Sequence, residues 1–364
     1  MNSYAIIMAG GVGARFWPYG SLRLPKQFLP IADTSNSMLQ LTVNRIKDII
    51  PPERTFIITN RQYIDEVKKQ IPKIPSENII GEPIGRNTAP CIGLAALILK
   101  QFDEKSGMIV IPADHLIEDI ADFSNVVTAG LSFAEKNDAI VTLGITPTHP
   151  ETGYGYIQFI DDAQINIDAH GLQVNIYKVK TFAEKPTLET ARVFLESGDF
   201  LWNSGMFIFR TDIILREIKK LMPDLYNSLL KLEKAYGTPK FGQALEKIFS
   251  EIKSISIDYG VMEKAKNVYV IKAGFAWSDL GSWDEVYRIK TKDKDGNVVI
   301  GSSFIKDSSG NLVMSPDTFV GMIGVRDLIV VNTKDGLLIC RRGHSQEVKE
   351  LVDYLKRKGI MENL

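Results

Sequence analysis

Two cations and a cluster of glycines near the start of the chain are the first residues with chemistry to offer. Ala5, Ile6, Ile7 and Met8 form a short apolar run that reads as a buried parallel strand. Gly10, Gly11 and Gly13 follow at once, then Arg15, then Pro25-Lys26-Gln27. A strand that ends in glycines leaves backbone N–H groups uncovered by any Cβ, and such groups can wrap a phosphate chain. Arg15 and Lys26 put a cation on either side of that loop. Two familiar nucleotide loops are excluded. A P-loop needs Gly-Lys-Ser/Thr after its glycines, which is absent here. The dinucleotide fingerprint needs a third glycine where Phe16 stands.

Further along, isolated polar residues interrupt apolar stretches. Asp114 follows the run Met108–Ile111, and Asp279 lies in Trp277-Ser278-Asp279-Leu280-Gly281-Ser282-Trp283. Each alone reads equally well as a turn former or a helix cap. Beside an anion-binding loop the two make a natural Mg²⁺ site on a nucleotide, because Mg²⁺ takes one or two carboxylates and completes its shell with phosphates and water. Glu184-Lys185-Pro186 ends a strand, with proline stopping the ladder. Asn203 sets an amide among Trp202, Met206 and Phe207. A buried amide needs partners, and either a sugar hydroxyl or a structural turn would serve. Gly155, in Gly-Tyr-Gly-Tyr, permits close backbone approach to a sugar ring.

The string G-G-x-G-x-R…P-K-Q from Gly10 to Gln27 resembles the signature of the sugar-1-phosphate nucleotidyltransferases, and specifically of the mannose-1-phosphate guanylyltransferases. Ala14 stands where that pattern has Thr, and Gly20-Ser21 where it has Ser-Arg, with Arg23 nearby. E-P-x-x-R-N-T-A-P, from Glu82 to Pro90, resembles the guanylyl branch rather than the uridylyl or thymidylyl ones. Six separated motifs spread the resemblance over about residues 4–290.

The resemblance implies a Rossmann-like α/β nucleotidyltransferase domain with a mixed, mostly parallel sheet, followed by a small β-rich, β-helix-like domain. It implies transfer of GMP from GTP to mannose 1-phosphate, giving GDP-mannose and pyrophosphate. Asp114 and Asp279 would hold Mg²⁺. Gly10, Gly11, Gly13, Arg15 and Lys26 would meet the nucleotide phosphates, while Lys185 meets the sugar phosphate and Glu184, Gly155 and Asn203 the sugar. Glu82, Asn87 and Thr88 are the candidates for guanine, which offers N1–H and N2–H₂ as donors and O6 as acceptor. Thr88 doubles as a candidate helix cap. A sugar phosphate has its second pKa near ~6 and is mostly dianionic at neutral pH. It needs no activating side chain, so the lack of a Ser–His or Cys–His pair agrees with this chemistry. Arg15, Lys26, Lys185 and the two aspartates then form the catalytic set. Two other readings stand beside it: the same chemistry on another sugar 1-phosphate or base, and a non-catalytic subunit that binds GTP or GDP-mannose. A metal-dependent glycosyltransferase is disfavoured, since Pro112-Ala113 precede Asp114 where Asp-x-Asp is needed.

The elements that must position these residues are legible from periodicity. Strands are expected at Thr55–Thr59, Asn78–Ile80, Met108–Ile111 and Ala139–Ile145, and helices at Met38–Ile50, Tyr63–Ile71, Thr88–Lys100 and Phe123–Lys136. That alternation predicts a mostly parallel sheet covered on both faces, with the unusual residues at the carboxyl ends of its strands. From Glu151 the texture turns antiparallel, with a strand at Val179–Pro186 and a short helix at Ser256–Ala265. The stretch Gly296–Arg341 reads as a small all-β unit, closed by a helix over Glu347–Lys358. Asp293-Lys294-Asp295-Gly296-Asn297 is a turn, not a calcium loop, because Val298 and Phe304 stand where Gly and Glu are needed. The domains are expected at 1–292 and 293–364, with no cupin-type isomerase domain, for which the chain is too short and lacks the His cluster.

Bulk composition narrows the partners. The chain has 364 residues, 45% of them apolar, and a formal net charge of −1, so there is no global basic field for nucleic acid or anionic membrane. Two cysteines, Cys91 and Cys340, point to a reducing compartment, and His115, His149, His170 and His344 lack metal-ligand spacing. With no signal peptide and no apolar run of membrane-spanning length, a cytoplasmic protein is expected. The apolar tail suggests a homodimer.

Overall fold

The computed structural model describes residues 2–11, 13–33, 35–169 and 172–360; Val12 of the glycine loop and His170 lie outside the described residues. Two compact units divide the chain. The first holds Met1–Gly10, Thr42–Ala113 and Ile117–Trp277, and the second Gly11–Leu41, Asp114–Leu116 and Ser278–Leu364.

The first unit is built on one sheet of nine strands. They are β1 (Ser3–Ala9), β2 (Thr55–Asn60), β3 (Ile79–Glu82), β4 (Gly107–Pro112), β6 (Ile140–Ile145), β7 (Tyr156–Ala169), β8 (Leu172–Ala183), β9 (Phe200–Arg210) and β10 (Val268–Ala273), with β5 the two-residue strand Leu116–Ile117 outside it. Their order is β3-β2-β1-β4-β9-β6-β10-β8-β7. Pairings β1–β2, β1–β4, β2–β3 and β6–β10 are parallel. Strand β9 runs antiparallel to β4 and β6, and β8 antiparallel to β10 and β7. Seven strands therefore point one way, and only β8 and β9 oppose them.

Strands buried on both faces read as continuous apolar runs, and β6 has all six residues buried. On one face lies α3 (Thr88–Lys100), buried from Ala89 through Leu99. It shares a core with Phe207 and Phe209 of β9 and with Ile213, Leu229 and Phe249 of the helices that follow. A Cβ on Gly93 would lie 2.7 Å from Leu229 Cδ1, so glycine sets the close approach of α3 to its neighbour. On the other face α4 (Ile120–Lys136) meets the alternate residue of β9: a Cβ on Gly130 would lie 2.6 Å from Ile208 Cδ1.

Several boundaries differ from the sequence expectation. The helix from Met38 ends at Ile46, with Ile49 and Ile50 turning back onto the Ile46 carbonyl. Strand β8 starts at Leu172, because it pairs with β7 along a long hairpin. Ser256–Ala265 contributes a single π-helical turn over Asp258–Met262. Thr88 is the first residue of α3 and not its cap. Asn87 caps it, its side chain accepting from the Thr88 N–H at 2.9 Å.

In the second unit β11 (Trp277–Ser278, divided at Ser278) leads to α9 (Trp283–Ile289) and the tail strands. Strands β12 (Val298–Lys306), β13 (Leu312–Ile323) and β14 (Leu328–Thr333) pair in parallel, and β15 (Gly336–Arg341) turns back antiparallel on β14. Left-handed glycines recur every fourteen residues at Gly296, Gly310 and Gly324. Asn311 Nδ2 donates to Asn297 Oδ1 at 2.9 Å, and Asn311 Oδ1 accepts from Leu328 N–H at 2.9 Å, so buried amides stitch one turn to the next. The Asp293 stretch is a turn, its carboxylate accepting from the N–H groups of Asp295 and Asn297. The tail shares one core with the glycine-loop segment: Phe16, Trp17, Leu29 and Met38 pack with Trp283, Leu312, Val331 and Val352. The Gly336 position would put a Cβ 2.6 Å from the Trp17 ring, and Thr333 Oγ1 donates to the Pro18 carbonyl at 3.2 Å.

Candidate active site

Lys26 is a buried, paired charge of the second unit. Its segment turns as a short 3₁₀ helix over Lys26–Phe28, and Gln27 Nε2 donates to the Gly11 carbonyl at 2.9 Å, tying that turn to the glycine loop. Gly13 has φ of 56°, and a Cβ there would stand 2.7 Å from the Lys26 amide nitrogen, so only glycine fits. The Lys26 side chain is 6% exposed, yet stays paired: its ammonium meets Asp114 Oδ2 at 2.9 Å and donates to the Asp279 carbonyl oxygen. It also lies 5.7 Å from the centre of the Phe16 ring. Phe16 meets Trp283 edge-on at 5.1 Å, and Trp283 Nε1 donates to the Trp17 carbonyl at 3.3 Å.

Leu280 shapes the opposite wall. It is wholly buried, has φ of 46°, and donates its N–H to Ser278 Oγ at 3.0 Å. A branched residue in the left-handed region is strained, and such strain concentrates at functional turns. Here the turn sets the Asp279 carbonyl on Lys26 and its carboxylate beside Gly281, where a Cβ would be 3.2 Å from both oxygens. A cleft of about 300 Å³ opens between these pieces, lined by Gly13, Arg15, Phe16, Lys26, Asp114, His115, Asp279, Gly281 and Lys349. Desolvation alone would raise the Asp114 carboxyl; the Lys26 ammonium, helped by His115, outweighs it and holds the group below the usual carboxylate range. The cleft thus keeps an ionised carboxylate beside a buried cation.

A second group forms in the first unit. A Cβ on Gly155 would collide with Glu184 Oε2, and the Gly155 carbonyl accepts from Asn203 N–H at 2.8 Å. Asn203 Nδ2 donates to Asp258 Oδ1 at 2.8 Å, while its Oδ1 accepts from Gly205 N–H at 3.1 Å. Of the two partners open to this amide in sequence, the protein's own turn is present. Lys185 has φ of 47° and an exposed ammonium 3.6 Å from Glu184 Oε1. Burial, then the nearby Asp258 carboxylate, raises the Glu184 carboxyl. Burial also raises Asp258, against the donation from Asn203. The sequence places Asp258 only within the expected short helix Ser256–Ala265; an acid set among Ile255, Ile257 and Tyr259 is the available signal.

The third group is Glu82, Asn87 and Thr88, which the structure sorts apart. Asn87, at φ of 69°, caps α3, and Thr88 Oγ1 accepts from Ile257 N–H at 2.8 Å. Arg86 fixes the same loop through the carbonyls of Phe249 and Ser250 at 2.6 and 2.8 Å. Glu82, by contrast, is 4% exposed and its Oε1 has no hydrogen-bond partner among the described residues. Burial pushes its carboxyl up to about 8. A Cβ on Gly10 would be 3.8 Å from Glu82 Oε2, which brings the first glycine of the loop beside this carboxyl.

The mixed sheet with its glycine-ended first strand, and the cation–carboxylate cleft, define a nucleotidyl transferase. A family model described as "Nucleotidyl transferase" matches residues 4–296, and one described as "MannoseP isomerase/GMP-like beta-helix domain" matches residues 303–355. "Mannose-1-phosphate guanylyltransferase" of Escherichia coli is 38% identical over 364 residues, covering 98% of this chain and 76% of its own. "Mannose-1-phosphate guanylyltransferase RfbM" of Salmonella typhimurium is 40% identical over 365 residues, covering 98% and 73%. A crystal structure from Thermus thermophilus, described as a mannose-1-phosphate geranyltransferase, matches with a TM-score of 0.85 at 31% identity, over 98% of this chain and all of the other. This chain belongs to the mannose-1-phosphate guanylyltransferase family, and spans about three-quarters of the length of the curated relatives it matches.

Proposed function

We propose that this protein transfers GMP from GTP to mannose 1-phosphate, releasing pyrophosphate. One observation carries the reading: Lys26 is buried against Asp114 and the Asp279 carbonyl, at a cleft that Arg15 also lines. A phosphate oxygen of the sugar attacks the α-phosphorus of GTP in line. The new P–O bond forms as the α–β anhydride bond breaks and pyrophosphate leaves. Lys26 and Arg15 neutralise the charge that builds on the phosphates, and the glycine loop offers its N–H groups to them. Lys185 meets the sugar phosphate, with Glu184 and Asn203 receiving sugar hydroxyls beside Gly155. Glu82 is the base-reading group: its buried Oε1, without a hydrogen-bond partner among the described residues, can accept from guanine N1–H or N2–H₂. Asn87 and Thr88 shape that loop as well as facing the base.

The carboxylates suit Mg²⁺. Both line the cleft, and Asp114 is held ionised. Among the described residues no three His, Cys, Asp or Glu side chains group to hold a metal, so phosphates and water would complete the shell, as Mg²⁺ prefers. Asp114 and Asp279 would hold the ion, which when bound adds positive charge at the phosphates.

The proposal keeps residues 1–292 as the nucleotidyltransferase domain and 293–364 as the small β-rich domain, supported by the matched ranges 4–296 and 303–355. No helix among the described residues is long and apolar enough to cross a membrane. We place the enzyme in the cytoplasm as a homodimer. Exposed Phe304, Phe319, Ile323 and Ile339 on the tail strands support self-association.

The test is pyrophosphate release with GTP, Mg²⁺ and mannose 1-phosphate, beside ATP, UTP and glucose 1-phosphate. Release should require both GTP and mannose 1-phosphate. Release with a different pair would overturn the substrate assignment, and none with any pair would overturn the reaction.

A further inference from the structure

Lys349 is a third cation at the cleft that holds Arg15 and Lys26. It is the second residue of α10 (Val348–Lys358) and lines the same cleft as Arg15 and Lys26. There the charges of Arg15 and Lys26 are matched by Asp114 and Asp279, so Lys349, His115 aside, is the charge that turns the lining positive. Lys26 is committed to Asp114 and the Asp279 carbonyl. The Lys349 ammonium makes no ion pair or hydrogen bond with a described residue.

Its side chain is exposed, but the backbone that carries it is anchored. Asp284, in the first turn of α9, accepts from Gly343 N–H at 2.8 Å and from Ser345 N–H at 3.2 Å. Its own N–H donates in return to Ser345 Oγ at 3.1 Å, and Ser345 is wholly buried. Val348, next to Lys349, and Val352 enter the core that holds Phe16 and Trp17 beneath the glycine loop. The stem of Lys349 therefore starts from a fixed point at the cleft, with an unpaired ammonium at its end.

We infer that Lys349 binds the triphosphate of the nucleotide substrate, which makes the last helix of the β-rich tail part of the phosphate site. The inference rests on the nucleotidyltransferase reading. Lys349→Ala, Lys349→Arg and, as a control on the far end of α10, Lys356→Ala are assayed for pyrophosphate release and for GTP binding by calorimetry. Lys349→Ala should raise KM for GTP about tenfold, with KM for mannose 1-phosphate unchanged, and Lys349→Arg should restore most of the loss. Lys356→Ala should match wild type. An unchanged KM for GTP, or an equal rise in both KM values, overturns the inference. If wild type releases no pyrophosphate, the reaction reading fails, and the calorimetry decides alone. Lys349 stands if its removal weakens GTP about tenfold, and falls if wild type and Lys349→Ala bind alike or neither binds.

Discussion

Asp114 in the second unit and the Glu184–Asp258 pair in the first are all partly desolvated carboxyls, yet their surroundings drive them in opposite directions. Beside Asp114 a buried ammonium keeps the group ionised. Burial pushes Glu184 and Asp258 toward their neutral forms, Glu184 further through the neighbouring Asp258 carboxylate, and Lys185, a cation beside them, is largely exposed. The contrast follows the ligands we propose. A triphosphate and its metal need fixed full charges. Sugar hydroxyls need acceptors in a confined space and little net charge.

The largest effects are expected at Lys26 and Asp114. Lys26→Ala and Asp114→Ala should each lower kcat by on the order of 10²-fold or more, with circular dichroism showing the fold intact. Near-normal turnover in either would remove the charged pair from the chemistry. A smaller effect is expected across the contrast. Asp258→Ala should raise KM for mannose 1-phosphate about tenfold, because Asn203 Nδ2 loses the acceptor that positions it, and leave KM for GTP alone. Equal changes in both constants would mean that the two groups are not specialised in this way.

The smallest effect concerns Glu82. Its carboxyl titrates near 8 in the folded chain and near 4.5 when unfolded. Between those values the native state holds a proton that the unfolded state releases, so stability falls as pH rises through the window and levels off above about 8. Between pH 6.5 and 7.5 the loss should approach ~1 kcal/mol in the unliganded protein. Glu82→Gln should flatten that slope in urea titrations. Parallel slopes in the two proteins would show that the proton resides elsewhere.

What could be read from sequence was mostly local. The first strand, its glycines and Lys26 lie within one short stretch, and the parallel strands announced themselves as apolar runs. The cap of α3 was misread because Asn87 must take φ of 69° to serve, and neighbouring residue types do not declare that. Asp258 was overlooked because its partner Asn203 lies 55 residues away. The bond from Lys26 to the Asp279 carbonyl spans 253 residues. No periodicity reports a pairing of that range, and the family resemblance alone suggested that these positions share a task. Strain was hidden for the same reason. Asn87, Lys185 and Leu280, three of the five non-glycine residues with positive φ among those described, all lie in the candidate motifs.

The shared core of the glycine-loop segment and the tail has a consequence for the chain as it is made. Trp17 waits for the indole of Trp283, 266 residues later, and Pro18 for Thr333, 315 residues later. A ribosome adding roughly 5–20 residues per second needs on the order of tens of seconds to cover that interval. During that time Lys26 and its loop have none of these late partners. The nucleotide-handling surface is therefore completed only near the end of synthesis, and a chain cut short in its tail would leave the glycine loop without its packing.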